Sequence, residues 1–208
     1  MLIYIGIIIF SVIIHEMGHL LTALAFKVKV NAFSIGFGKV LLHKKWKGID
    51  WRISLLPFGG YCDIDEAIDK ENTLSTIAYW KQVIILISGV SLNFLLALIC
   101  YWLQGLTIVQ GIYIDILTFK CLITNRLYML YAMVDYLDLN TFLLQTSILN
   151  LGLAITNLIP LPALDGGYLW MLPLRKKMGE RLFKIIIFTS FTLLIILQFV
   201  IIYFWWLK

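Results

Sequence analysis

Residues 2–26 read LIYIGIIIFSVIIHEMGHLLTALAF, and this stretch decides what kind of fold the remainder must build. At about 1.5 Å of rise per residue, an apolar helix of this length crosses a hydrocarbon core of about 30 Å. It nevertheless carries His15, Glu16 and His19, three ionisable side chains that are costly in lipid unless they share a partner or line a polar cavity. On a helix, positions i and i+4 share a face, so both imidazoles can reach one ion. Glu16, adjacent in sequence, can reach water on that ion without ligating it. The spacing suits zinc with a glutamate general base.

Working outward, the whole chain of 208 residues is 61% apolar and 14% charged, with a mean hydropathy of +0.91. Soluble domains average roughly 45–50% apolar and 25% charged, so the expected class is an all-α polytopic membrane protein. Apolar runs at 2–26, 82–103, 142–172 and 183–207 predict about four transmembrane helices within a single domain, 1–208. The net charge of +5 comes largely from two basic blocks beside these runs. One holds Lys27, Lys29, Lys39, Lys44, Lys45, Lys47, Arg52, Lys70 and Lys81, and the other Arg175, Lys176, Lys177, Arg181 and Lys184. A bilayer surface is the more economical partner for them than nucleic acid. By the positive-inside rule both blocks are cytoplasmic and both termini extracytoplasmic, with Trp205, Trp206 and Lys208 as an outer anchor. No basic segment precedes the first apolar run, which reads as a retained span. Cys62, Cys100 and Cys121 lack any CxxC spacing and read as small hydrophobes.

The first connection is expected to hold a membrane-associated β-hairpin or small sheet over about 32–60. Phe33–Leu42 and Trp51–Leu56 alternate partly and are rich in aromatic and β-branched residues, with Lys47-Gly48 as the turn. Its second strand is expected to end in a loop, Pro57-Phe58-Gly59-Gly60-Tyr61, where glycines permit tight or close-approach backbone. An acidic patch follows at Asp63, Asp65, Glu66, Asp69 and Glu71. The segment 104–140 reads as a short extracytoplasmic piece, with a surface helix at Ile123–Leu139.

Two histidines and a water leave tetrahedral zinc one ligand short. His43 sits among lysines and looks solvated, so a carboxylate fits better, and Asp165 interrupts the third apolar run. In a four-span topology, spans one and three run in the same direction. His19 precedes Lys27 by eight residues and Asp165 precedes Arg175 by ten, which places both roughly 12–15 Å from the inner boundary. Pro160, Pro162, Gly166 and Gly167 predict that the third run is broken, which membrane proteins tolerate where backbone lines a cavity. Asn93 and Asn157 could each orient substrate or an oxyanion, or simply bond across helices.

Together these pieces resemble the site-2 protease family of intramembrane zinc metalloproteases, peptidase family M50, and most closely its RseP-like branch. The motifs are His15-Glu16-Met17-Gly18-His19, Phe33-Ser34-Ile35-Gly36-Phe37-Gly38, Pro57-Phe58-Gly59-Gly60-Tyr61, Gly89 to Asn93, and Asn157 to Gly167, in the family's order across roughly 8–170. The resemblance implies a site-2 protease core in a bacterial cell membrane, with one Zn2+ on His15, His19 and Asp165, and Glu16 activating water. It also implies substrate contacts near Asn93, Asn157, Gly59 and Gly60. The substrates implied are single-span membrane proteins, signal-peptide remnants or pheromone precursors, with an upstream site-1-type protease as partner. Val90 stands where the family usually has proline. The PDZ insertion common in this branch cannot fit in 104–140, so this reading is of a PDZ-lacking form.

The expected reaction is zinc-dependent hydrolysis of peptide bonds in transmembrane segments, with substrate unwound and added as a strand to the hairpin edge. A catalytically silent helix-binding protein and a zinc transporter are the alternatives. The intact Glu16 argues against the first, and the near absence of ionisable residues in spans two and four argues against the second.

Overall fold

A computed structural model describes residues 2–66, 71–123 and 139–206, which are mostly helical with one small sheet. The chain divides into two compact units, Met1–Ala154 and Ile155–Lys208.

The first unit begins with helix α1, Leu2–Ala25. It contains no proline, and its apolar side chains have no aqueous alternative to internal backbone hydrogen bonding. It ends in a Schellman pattern: Val28 N–H donates to the Ala23 carbonyl at 2.8 Å and Lys27 N–H to that of Leu24 at 3.0 Å. Strands β1, Val30–Trp46, and β2, Ile49–Ile64, then form an antiparallel pair around Lys47-Gly48. Both turn residues have positive φ, 50° and 82°, the geometry of a two-residue hairpin turn whose twist matches the strands.

The hairpin is longer than expected and is folded over. Ala32–Ile35 pairs on one side with Asp63–Gly60 and on the other with Asp50–Ile53, which pairs in turn with Lys45–Leu42, so four strand segments lie abreast. Gly36, at φ 88°, makes the bend; a Cβ there would stand 2.8 Å from the Leu56 carbonyl oxygen. The expected loop at Pro57–Tyr61 is instead strand, because Gly59 and Gly60 serve close packing rather than a turn. Arg52 fastens the fold, bonding Asp50 Oδ2 through Nε at 2.8 Å and the Tyr61 hydroxyl through Nη1 at 3.1 Å. That hydrogen bond from Arg52, ahead of the one from His43, holds the Asp50 carboxyl below the usual carboxylate range despite some burial. Of the acidic patch, Asp65 pairs with Lys29 at 3.3 Å, while Asp69 lies outside the described residues.

Helix α2, Tyr79–Leu103, returns along α1. At its start Trp80 meets Phe26 edge to face at 5.6 Å, with the Lys81 ammonium 5.6 Å from the Phe26 ring, an aromatic and basic collar suited to a membrane interface. Helix α3, Ile108–Ile123, occupies part of the stretch 104–140 expected to be a short extracytoplasmic segment. Its N-terminus is a capping box: Gln110 N–H donates to the Thr107 hydroxyl at 3.3 Å and Thr107 N–H to Gln110 Oε1 at 2.9 Å. Asp115 accepts from the buried Tyr101 hydroxyl, and burial pushes its carboxyl above the usual range. The surface helix expected at Ile123–Leu139 falls almost wholly on residues outside those described. Helix α4, Leu139–Leu158, is tied to α1 by Asn150, whose amide donates to the Ser11 hydroxyl at 2.8 Å.

The run at 142–172, expected as a broken span, is two helices. Helix α4 stops at Leu158, and α5 begins at Asp165 and runs to Met178. Pro160 and Pro162 remove donors between them, and Gly167 lets the start of α5 pack on the Leu161 carbonyl, where a Cβ would overlap. Gly179 turns the chain into α6, Glu180–Trp206, with the Arg175 guanidinium 4.8 Å over the Phe183 ring.

Among the described residues, Ile5–Ala25, Tyr79–Leu103 and Leu139–Leu158 are long and apolar enough to cross a membrane, making this a multi-pass membrane protein. The fourth run, 183–207, falls in α6 except for residue 207, which with Lys208 lies outside the described residues.

Candidate metal centre

Helix α1 turns both imidazoles of its central motif toward α2. His15 and His19 are buried, their Nε2 atoms 3.3 Å apart, their ring planes at 79° with centroids separated by 4.9 Å. The edges converge while the faces do not stack. His19 Nδ1 stands 2.7 Å from the Ile85 carbonyl oxygen. A carbonyl only accepts, so Nδ1 carries the proton and Nε2 keeps its lone pair, as a ligating histidine requires.

Gly89 makes room for this. A Cβ there would overlap His19 Nε2 and stand 2.9 Å from both His15 Cε1 and the His15 carbonyl. From the other side, a Cβ on Gly18 would stand 2.5 Å from the Ser88 carbonyl oxygen, so the two helices meet backbone to backbone. The Thr22 and Ser88 hydroxyls bridge them at 3.0 Å. Asn93, fully buried one turn beyond Gly89, brings its amide nitrogen within 3.4 Å of His15 Nδ1. Ile85, Gly89 and Asn93 therefore form one stripe of α2 at i, i+4 and i+8, against the i and i+4 histidines of α1.

Sequence reasoning missed Ile85 because its acting atom is a backbone carbonyl, which any residue supplies. It gave Gly89 no role beyond opening the motif that runs to Asn93. The available signal was the four-residue step from Gly89 to Asn93, matching that from His15 to His19.

Glu16 takes the hairpin side. It is half-buried, and a Cβ on Gly60 would lie 3.4 Å from its Cγ, 3.1 Å from Val12 Cγ1 and 2.7 Å from the Ser34 carbonyl oxygen. Gly59 packs against the Phe37 ring, with no space for a side chain. Near them the Cys62 thiol is pushed up to about 12, by burial first and then by the charge of Glu16. Cys62 is thus neutral, with Glu16 and Asp63 as acidic groups near this part of β2.

Asp165 opens α5, and Asn157 lies half-buried in the last turn of α4. The sequence offers Asp165, in the second unit, as the carboxylate that would complete the two imidazoles. Two imidazoles and a carboxylate fit the donor set of a hydrolytic zinc site, which keeps one position open. His43 is not in this group; it is exposed on the hairpin, 3.3 Å from Asp50 Oδ1.

The sequence model of peptidase family M50 matches residues 3–197, so the chain belongs to that family. Among its relatives, a Chlamydia trachomatis protein is 39% identical over 104 residues, covering 43% of this chain and 17% of its own length. A Campylobacter jejuni protein is 39% identical over 100 residues, covering 44% and 27%. A Treponema pallidum protein is 44% identical over 62 residues, covering 29% and 14%. All three carry the provisional name of zinc metalloprotease. The matched stretches span only 14 to 27% of those relatives.

Proposed function

We propose that this chain is a zinc-dependent endopeptidase that hydrolyses peptide bonds in membrane-spanning segments of other proteins. The observation that carries the reading is the convergence of the His15 and His19 Nε2 atoms at 3.3 Å inside an apolar helix, with Glu16 next to His15 on the same helix. Family membership and the relatives' names support it.

His15, His19 and Asp165 would hold one zinc ion. Bound zinc supplies a Lewis acid that polarises the scissile carbonyl and makes water nucleophilic at neutral pH. Glu16 accepts the proton of the attacking water as the new C–O bond forms, then delivers it to the departing amine as the C–N bond breaks. The substrate is extended at this point, because a carbonyl held in a helical hydrogen bond is poorly presented for attack. Gly60–Asp63 pairs on one side with β1, and Gly60 packs beside Glu16, so a substrate segment added to this edge would lie next to the base. In this reading Gly59 and Gly60 on this strand and Asn157 contact the bound segment.

The finer reading is an RseP-like, PDZ-lacking site-2 protease of the bacterial cell membrane with α6 as fourth span. Its termini are extracytoplasmic and its centre lies toward the cytoplasm. Its substrates are single-span proteins or membrane peptides, in some cases trimmed beforehand by a site-1-type protease.

Purified protein in liposomes with a reporter substrate tests the reaction. Cleavage inside the apolar segment, abolished by a chelator and restored by zinc, is the expected result. Cleavage that survives complete metal removal would refute the assignment.

A further inference from the structure

We propose that Asn93 is a positioning residue for His15: its side-chain carbonyl accepts the Nδ1–H of that imidazole and so presents Nε2 as a lone pair to the metal. The proposal rests on reading His15 and His19 as ligands, and it gives Asn93 a task other than touching substrate.

Asn93 is 0% exposed, so it has no open face toward a bound segment. Its Nδ2 atom is the one placed at 3.4 Å from His15 Nδ1, while its Oδ1 is buried without a hydrogen-bond partner. A buried acceptor left unmade costs about 1–3 kcal/mol and calls for a reason. Turning the amide by 180° exchanges Oδ1 and Nδ2 without moving any other heavy atom. In that orientation Oδ1 accepts from His15 Nδ1–H, and the orphaned acceptor is satisfied. The two contacts then become equivalent. His19 donates Nδ1–H to the Ile85 carbonyl, His15 donates Nδ1–H to the Asn93 carbonyl, and both Nε2 lone pairs face each other across the space an ion would fill. With the amide nitrogen donating to Nδ1 instead, the proton of His15 would sit on Nε2, where it blocks ligation. A ligating imidazole generally needs its other nitrogen fixed by an acceptor, and losing that acceptor typically weakens metal binding 10- to 100-fold. The two acceptors lie on one face of α2 with Gly89 between them, so this helix sets the tautomer of both rings.

Two substitutions separate the roles of the amide. Asn93→Asp keeps an acceptor and loses the donor; Asn93→Leu loses both. Zinc affinity is measured for the full chain in detergent by competition with a chelator. In parallel, 15N NMR of the metal-free protein, which has only three histidines, reads the His15 tautomer. Asn93→Leu is expected to weaken zinc binding about 10- to 100-fold and to shift His15 away from the Nδ1–H form. Asn93→Asp is expected to stay within about threefold of the parent affinity and to hold Nδ1–H. Asn93→Asp weakening zinc as much as Asn93→Leu would overturn the proposal, as would an Asn93→Leu protein with parental affinity and tautomer. If Asn93→Leu does not fold, the Asn93→Asp affinity and the parental tautomer decide. A parent protein that binds no zinc would overturn the ligand reading itself and the proposal with it.

Discussion

Ile85 orients a histidine through its main chain, and Gly89 admits two imidazoles by having no side chain at all. Neither role is written in the identity of an isolated residue. The histidines were legible because ionisable groups four residues apart in an apolar run cost too much in lipid to stand there without a shared partner. Their bed on α2 was not, since it exists only once α1 and α2 are paired in register. Gly89→Ala therefore tests the bed rather than the ligands. The added methyl would overlap His19 Nε2 and crowd the His15 backbone. We expect zinc affinity to fall at least about tenfold with both histidines intact, as when outer-shell support is lost. Titration against a chelator measures this, and parental affinity would show that the imidazoles sit elsewhere.

Among the elements, the hairpin and α3 show what periodicity can and cannot deliver. The strands were visible from β-branched and aromatic residues, and the turn from Lys47-Gly48. The doubling over of the hairpin was not, because it depends on Gly36 meeting the Leu56 carbonyl, a contact remote in sequence. Helix α3 was missed although Thr107 and Gln110 spell its cap, since the flanking residues are too uniformly apolar to display a face. Asp115 anchors this helix to α2 through the Tyr101 hydroxyl. Asp115→Leu leaves that buried hydroxyl without its acceptor and should cost about 1–3 kcal/mol, whereas Asp115→Asn, which retains an acceptor, should cost less. Thermal unfolding in detergent compares the two, and equal melting temperatures would remove the anchor role.

At the scale of the whole molecule, hydropathy was sufficient to find the three described helices of membrane length, and the charge blocks supply the orientation proposed for them. The break of the third run was legible from Pro160, Pro162, Gly166 and Gly167, whereas the packing of Gly167 on the Leu161 carbonyl, which closes the turn between the two helices, was not. Orientation is testable without any substrate. A cysteine placed at Lys45, exposed near the hairpin tip, should be labelled by a membrane-impermeant thiol reagent only after the cytoplasmic side is opened. Labelling in intact cells would invert the proposed topology.

The central claim joins all three scales: a helix of membrane length carries a metal-dependent hydrolytic centre whose base is Glu16. Its most direct test is the cleavage rate of a reporter membrane substrate by Glu16→Gln protein confirmed to hold as much zinc as the parent. The amide cannot take the proton of the attacking water, so the rate should fall by about 10²- to 10⁴-fold at unchanged zinc content. Parental cleavage by that zinc-loaded variant would contradict the account.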